Sequence, residues 1–336
     1  MTPDSPARFL LPTLLVASWV VLAIVIFAVP AHWPVLGIWL ALLLGTVGSG
    51  SVKPSWDFFG RSWSKNPARG DAVALTFDDG PDPVATRAVA RALEARGWRG
   101  TFFVVGRRVL DHPDVVRELS DAGHQIGLHG HEHRWHLMLR EPRLVQDLLA
   151  CDAAVHAAVG RHPRWYRSPI ALVSPPLMNV LRQWRLFYAG FSVRPFDGGG
   201  ALTSESLRAR VAELARAGDV VLLHDATPMG RPPGRPPVVD ALPGILDDLA
   251  ARGLKGVTMS ELFDKPAWFG ADEVSEAARR AFRRGRLQLS VWATTCALLI
   301  ALAVFGGLRS ASAAPAGKGL PPELLESFVA LELKHK

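Results

Sequence analysis

The chain has 336 residues, 49% hydrophobic and 21% charged, enough for one domain with a large core plus additional segments. Its two cysteines exclude a disulfide framework: Cys151 lies in a helical pattern and Cys296 in an apolar run, so nothing demands an oxidising compartment. The net charge of +7 is dominated by arginines, many of them beside apolar runs, and a nucleic-acid partner is not implied.

In chain order, residues 9–29 form an apolar run long enough to cross a bilayer, broken by Pro30, and residues 33–48 form a second, shorter one. Together they read as a transmembrane hairpin over 1–50. The alternative, a signal peptide, lacks a clear cleavage site and is followed at once by the second run. Residues 51–70 intersperse Gly, Ser and Pro with Trp56, Phe58, Phe59 and Trp63, which suits an interfacial linker or aromatics packed on the outside of the next domain.

From Asp71 onward short apolar runs alternate with helical patterns. The expected strands are 72–77, 101–105, 125–128, 165–167, 186–191, 220–224 and 256–259, with helices between most of them, including 208–217 and 239–252. About seven βα units predict an α/β fold over 71–270, a parallel sheet closed or nearly closed into a barrel. Residues 228–237 hold too much Pro and Gly for regular structure. They read as a surface loop, or as a basic lid that brings Arg231 and Arg235 to a phosphate on the substrate. Residues 271–286 turn from acidic to strongly basic, as a juxtamembrane helix would. A third apolar span follows at 287–308, then a tail over 309–336 to which no function is assigned.

The chemistry falls at strand ends. Asp78 and Asp79 end the first strand, where Gly80 and Pro81 force a turn; adjacent carboxylates repel unless a cation neutralises one, although Asp-Asp-Gly is also ordinary turn chemistry. About fifty residues later, in Gly-Leu-His-Gly-His-Glu-His, His129 and His133 have the spacing that puts two imidazoles on one face of a helical turn. Two His and one Asp leave a position open for water, as catalytic metal sites do, and His124, His131 and His136 read as a surface tract.

Thr76-Phe-Asp-Asp-Gly80, His129-x-x-x-His133, Arg167-Ser-Pro169 and Leu222-Leu-His224, in that order, resemble the motif set of the polysaccharide deacetylase family, which includes the NodB chitooligosaccharide deacetylase and carbohydrate esterase family 4. The resemblance covers roughly residues 70–264 and implies a distorted (β/α)7 barrel. It implies hydrolysis of an N-acyl group, acetyl or formyl, from an amino sugar, with a divalent metal on Asp79, His129 and His133, Asp78 as general base and His224 as general acid. Arg167 would pair with Asp78, and Asp197 would hydrogen-bond His224. Zinc suits the ligand set, and nickel or cobalt fits the same geometry.

Three positions depart from the family pattern: Gly130 in place of Ser or Thr, Ile170 in place of an aromatic, and Gly198 in place of Trp. The last two remove aromatic walls of a sugar groove, which favours a lipid-linked saccharide at the membrane over an extracytoplasmic cell-wall polymer. A silent carbohydrate-binding protein would not need every ligand and proton-transfer residue, and a metal-dependent nuclease or phosphatase has only the basic loop in its favour. Lys53, Arg61, Lys65 and Arg69 follow the second apolar run, and Arg279, Arg280, Arg283, Arg284 and Arg286 precede the third. This distribution predicts an integral protein of the cell membrane, in contact with its lipid, with the catalytic domain on the cytoplasmic face; were 9–29 the only N-terminal span and 33–48 on the surface, the domain would face outward and the polymer reading would return.

Overall fold

The computed structural model describes residues 17, 19–20, 33–139, 141–199, 202–231 and 234–270. Most of the first apolar run, the basic segment 271–286, the span 287–308 and the tail 309–336 lie outside the described residues.

The second apolar run is a helix, α1 (Trp33–Val52). Among the described residues, however, no helix is long and apolar enough to cross a membrane. The last two turns of α1, Gly-Thr-Val-Gly-Ser-Gly-Ser, dilute its apolar length, which corrects the expectation of a spanning helix there.

Eight strands follow, every ladder between them parallel: β1 (Ser62–Trp63), β2 (Ala72–Asp78), β3 (Thr101–Val104), β4 (Gln125–Leu128), β5 (Trp165–Tyr166), β6 (Phe187–Ala189), β7 (Val220–His224) and β8 (Lys255–Val257). The sheet runs β1-β6-β5-β4-β3-β2-β7, and β8 pairs the lower half of β2. Single bridges, Val193 to Val221 and Lys65 to Asp219, join the β6 side to β7, so the sheet curls towards a barrel without a continuous closing ladder. Seven strands were expected and all are found. The eighth, β1, lies in the segment read as a linker; two residues carry no periodicity, and it exists because β6 offers a free edge.

The helices α2 (Ala85–Glu94), α3 (Gly106–Asp111), α4 (Pro113–Asp121), α5 (Glu141–Val159), α6 (Pro175–Gln183), α7 (Ser204–Leu214), α8 (Val238–Ala250) and α9 (Met259–Phe263) complete the fold. All seven residues of β2 are buried, as a strand covered on both faces requires. Val73, Leu75 and Phe77 point into the large core beneath the helices, whereas Ala72 and Ala74 point into a smaller core inside the curl with Phe103, Trp165, Met259 and Phe263. Trp63 packs edge-on against Phe263 at 5.2 Å and Phe187 at 5.8 Å, and Arg61 lies 3.7 Å above its ring. Of the two readings for the aromatics of 51–70, Trp63 thus takes the one in which they pack on the domain.

Candidate active site

Because period-2 alternation puts Thr76 and Asp78 on the same inward face as Ala72 and Ala74, β2 delivers its last carboxylate into the curl. Asp79 turns away in the left-handed region, φ 77°. Its Oδ1 lies 2.9 Å from His133 Nε2 and 3.5 Å from His129 Nε2. One ligand atom from each of the three residues falls within 4.8 Å of the others. Asp79 Oδ1 is buried yet makes no hydrogen bond, as expected of ligand atoms that face a common cation rather than one another. His129 Nδ1 donates to Arg167 O at 2.9 Å, which fixes the tautomer that leaves Nε2 as a lone-pair donor on the Asp79 side. The N2O donor set and this backbone partner fit a divalent ion such as zinc.

The charges agree. Burial would raise the Asp79 carboxyl, but the contacts and charges of His129 and His133 hold it far below the usual carboxylate range. Burial would lower the His129 imidazole, but Asp78 and Asp79 raise it. The same negative potential attracts a cation.

The two histidines do not share a helical turn as their spacing suggested. Residues 129–134 form a loop with Gly130 at φ 82° and His133 at φ 53°, and that loop brings the rings to 5.0 Å. Asp147, on the inner face of α5, accepts from the backbone N–H of His131 and of Glu132, each at 2.9 Å. A Cβ at Gly130 would lie 2.7 Å from Asp147 Oδ2. A carboxylate from a helix therefore holds the ligand loop, and it leaves no room for a side chain at 130.

Arg167, wholly buried, spends its guanidinium on Asp78 Oδ1 at 2.8 Å, Thr76 Oγ1 at 2.7 Å, and the carbonyls of Ala189 and Gly190. Asp78 is thereby fixed beside the Asp79 and His129 pair. Across the site, Asp197 grips His224 twice, through its backbone N–H at 2.9 Å and through ring Nδ1 at 2.8 Å, so Nε2 is left for chemistry. Burial alone would depress this imidazole, but the Asp197 hydrogen bond and charge, with Asp79 and Asp78 behind it, push it up to about 9. A Cβ at Gly198 would come 2.9 Å from His224 Cε1, so glycine keeps that ring uncrowded.

All seven residues singled out in the sequence, Asp78, Asp79, His129, His133, Arg167, Asp197 and His224, meet at one end of the curl. Three others escaped notice. Asp147 showed only as a carboxylate on an otherwise apolar helix face beside Leu144, Leu148 and Cys151. Arg108 donates to Asp79 O and Thr227 O, tying the ends of β2 and β7 together. Asp225, next to His224, accepts from Thr86; burial, with the Asp79 charge, pushes it up to about 7 against that hydrogen bond. In the loop over 228–237, Arg231 Nη1 donates to Gly198 O at 3.3 Å and so approaches the site, whereas Arg235 pairs with Asp240 of α8 at 2.7 Å and does not.

A sequence profile of the family described as polysaccharide deacetylase matches residues 65–189. A peptidoglycan-N-acetylglucosamine deacetylase of Bacillus cereus is 31% identical over 192 residues, 56% of this chain and 87% of that protein. A chitooligosaccharide deacetylase of Azorhizobium caulinodans is 31% identical over 190 residues, 54% of this chain and 90% of that one. The crystal structure of a peptidoglycan N-acetylglucosamine deacetylase covers 61% of this chain and 93% of its own at a TM-score of 0.57 and 24% identity, a likeness of fold. Identity at this level across nearly the whole of two relatives decides the matter: the chain belongs to the polysaccharide deacetylase family, hydrolases of carbon–nitrogen bonds.

Proposed function

We propose that this protein is a divalent-metal-dependent N-deacetylase that acts at a membrane on an N-acetylated amino sugar, carried on a lipid. The observation that carries the chemistry is the convergence of Asp79, His129 and His133 with Asp78 on one side and the Asp197-held His224 on the other. Acetyl, rather than formyl, follows from relatives named for N-acetylglucosamine and chitooligosaccharide.

Asp79, His129 and His133 would hold a divalent ion, which when bound would polarise the amide carbonyl and acidify water. Asp78, oriented by Arg167, accepts the proton of the attacking water. His224, whose raised pKa keeps it protonated near neutrality, delivers a proton from Nε2 to the departing amine, and Asp197 stabilises the imidazolium until it does. Thr76 and Phe103 complete the support: the first shares Arg167 with Asp78, the second lies 4.3 Å beneath the guanidinium and excludes water from below.

The lipid-linked reading rests on the apolar runs 9–29 and 287–308 and on the loss of aromatic walls at Ile170 and Gly198. The cytoplasmic placement rests on Lys53, Arg61, Lys65 and Arg69 after the run 33–48 and on Arg279, Arg280, Arg283, Arg284 and Arg286 before the run 287–308. A second reading, a deacetylase of cell-wall polymer outside the membrane, is favoured by the peptidoglycan in the name of the Bacillus cereus relative and by α1, which does not span and so leaves 9–29 as a single N-terminal span with the domain facing outward. Acetate release before and after chelation tests the metal dependence, and a lipid-linked N-acetylglucosamine set against peptidoglycan strands separates the readings. Release from peptidoglycan alone would reject the lipid-linked substrate.

A further inference from the structure

The apolar surface of the domain is unevenly distributed. Among the described residues beyond 60, the exposed large apolar side chains are Val84, Leu110, Trp135, Leu139, Ile170 and Phe196, each between 47% and 66% exposed, plus Leu149 and Leu214 on the flanks of α5 and α7. Five of the six lie in the segments that follow β2, β4, β5 and β6, ahead of the next long helix, and Leu110 lies in the short helix α3 that follows β3, ahead of α4. In a parallel sheet this puts all six around one end, the end that holds the metal ligands. At the opposite end the described residues beyond 60 expose one large apolar side chain, Leu214 at the last residue of α7, and Lys255 sits there.

Two further observations say what covers this rim. Four of the six side chains are aliphatic, unsuited to stack on sugar faces, while the two aromatics adjoin arginines: Arg134 precedes Trp135, and Arg194 lies 5.1 Å over the Phe196 ring. Aromatic rings and arginines at one depth fit the headgroup zone of an anionic bilayer. Moreover α1 meets the domain at the same rim, where Val173 N–H, three residues after Ile170, donates to Ser51 O at 2.9 Å. On α1, Leu42 and Leu44 are both exposed and, two residues apart on a helix, lie on opposite sides, so no single protein groove would cover both. α1 carries no charged side chain and does not gather its apolar residues on one face, so lipid beside the rim suits it better than a protein groove.

We infer that the rim around the metal centre is a lipid-docking surface: Val84, Leu110, Leu139 and Ile170 enter an anionic bilayer beside α1, and the site opens onto the headgroup layer instead of bulk water. This deepens, and rests on, the membrane reading above. Substrate would reach the site from the lipid side, its sugar at headgroup depth.

The test uses the full chain with Cys296→Ser, reconstituted in vesicles of phosphatidylcholine and phosphatidylglycerol. A small fluorophore is placed on Leu110→Cys, Leu139→Cys or, at the opposite end, Lys255→Cys, and quenching by spin-labelled lipid is recorded. The expected result is several-fold stronger quenching at 110 and 139 than at 255. The doubly charged variant Leu110→Glu with Leu139→Glu should lose quenching of a probe on Val84→Cys and still release acetate from soluble chitooligosaccharide. Quenching at 255 in place of the rim, with the protein still floating with the vesicles, overturns the docking face and spares the membrane reading. Failure to float with the vesicles overturns both. A rim probe that responds to soluble chitooligosaccharide and not to lipid makes the rim a glycan subsite, which also rejects the proposal.

Discussion

At the lower end of the curled sheet the inward side chains of β2 are Ala72 and Ala74, packed with Phe103, Trp165, Met259 and Phe263. At the upper end of the same strand they are Thr76 and Asp78, facing Arg167. One strand thus builds a dry plug and an ionic centre a few ångströms apart, with Phe103 under the guanidinium as the boundary. Charges are tolerated above because each has a partner: Arg167 satisfies Asp78, Thr76 and two carbonyls, and Asp197 satisfies His224 twice. The plug below keeps water out, which strengthens those contacts. Stability resides at one end and chemistry at the other, and the two should separate under mutation.

The largest effects belong to the upper end. Asp79→Ala or His133→Ala should lose bound metal and all acetate release together, read by elemental analysis beside the assay. Asp78→Asn should keep its metal and lose turnover by roughly 10²–10⁴-fold, the span of general-base catalysis. Metal loss in Asp78→Asn, with activity kept in Asp79→Ala, would reverse the division of roles.

Trp165→Ala probes the lower end. The side chain is fully buried, so denaturant unfolding should show a loss of about 3–5 kcal/mol, while metal content and turnover of the folded protein hold. Arg167→Met crosses the boundary: it strands Asp78 in the interior and should cost about 3–5 kcal/mol in stability together with activity. If Trp165→Ala abolished turnover in folded protein, the separation of the two ends would fail.

The elements that the sequence made legible are those whose signal is local. The inward and outward alternation of β2 and its stop at Gly80 and Pro81 placed Asp78 and Asp79 at a strand end, and ordered spacing brought in His129, His133, Arg167 and His224. What stayed hidden depends on partners distant in the chain. β1 is two residues long and is defined by the edge of β6. The His129 to His133 spacing suggested a helical turn, but left-handed backbone at Gly130 and His133 makes a loop, held by a carboxylate 16 residues away on α5. The short span of α1 was misjudged for the opposite reason: a local apolar count ignores the glycines and serines of its last turns.

A pH profile sharpens the upper end. The His224 imidazole is raised to about 9 from an ordinary 6.5, so its contribution to stability is complete below the unfolded value and is lost as pH rises through about 9. The same titration removes the proton that the leaving amine requires. Activity should therefore fall on an alkaline limb, which Asp197→Asn moves to lower pH and His224→Ala abolishes. An alkaline limb unmoved in both variants would take His224 out of the reaction. A smaller loss is expected from Asp147→Ala, which frees the backbone N–H groups of His131 and Glu132 and should weaken metal affinity by roughly 10–100-fold. Its turnover at saturating metal should stay close to that of the parent, and this distinguishes a loop-holding role from a ligand.

The smallest effect expected is at Gly198, and it tests how finely the upper end is set. No charge or hydrogen-bonding side chain changes in Gly198→Ala, yet the added Cβ would stand 2.9 Å from His224 Cε1 and 3.0 Å from Nε2, closer than a carbon atom can settle. His224 cannot retreat freely, since Asp197 holds both its backbone and its ring, so the imidazole must tilt about the Nδ1 contact. A tilt of a few tenths of an ångström moves Nε2, the atom that delivers the proton. Since a displacement of 1 Å can cost about 10²-fold, turnover should fall by roughly 3–10-fold while metal content and the Asp197-dependent pKa hold. The readout is kcat at saturating substrate beside the pH at half-activity on the alkaline limb. A fall in kcat with the limb fixed places the effect in the position of the acid, whereas a shifted limb with unchanged kcat would show that the methyl acts by loosening Asp197.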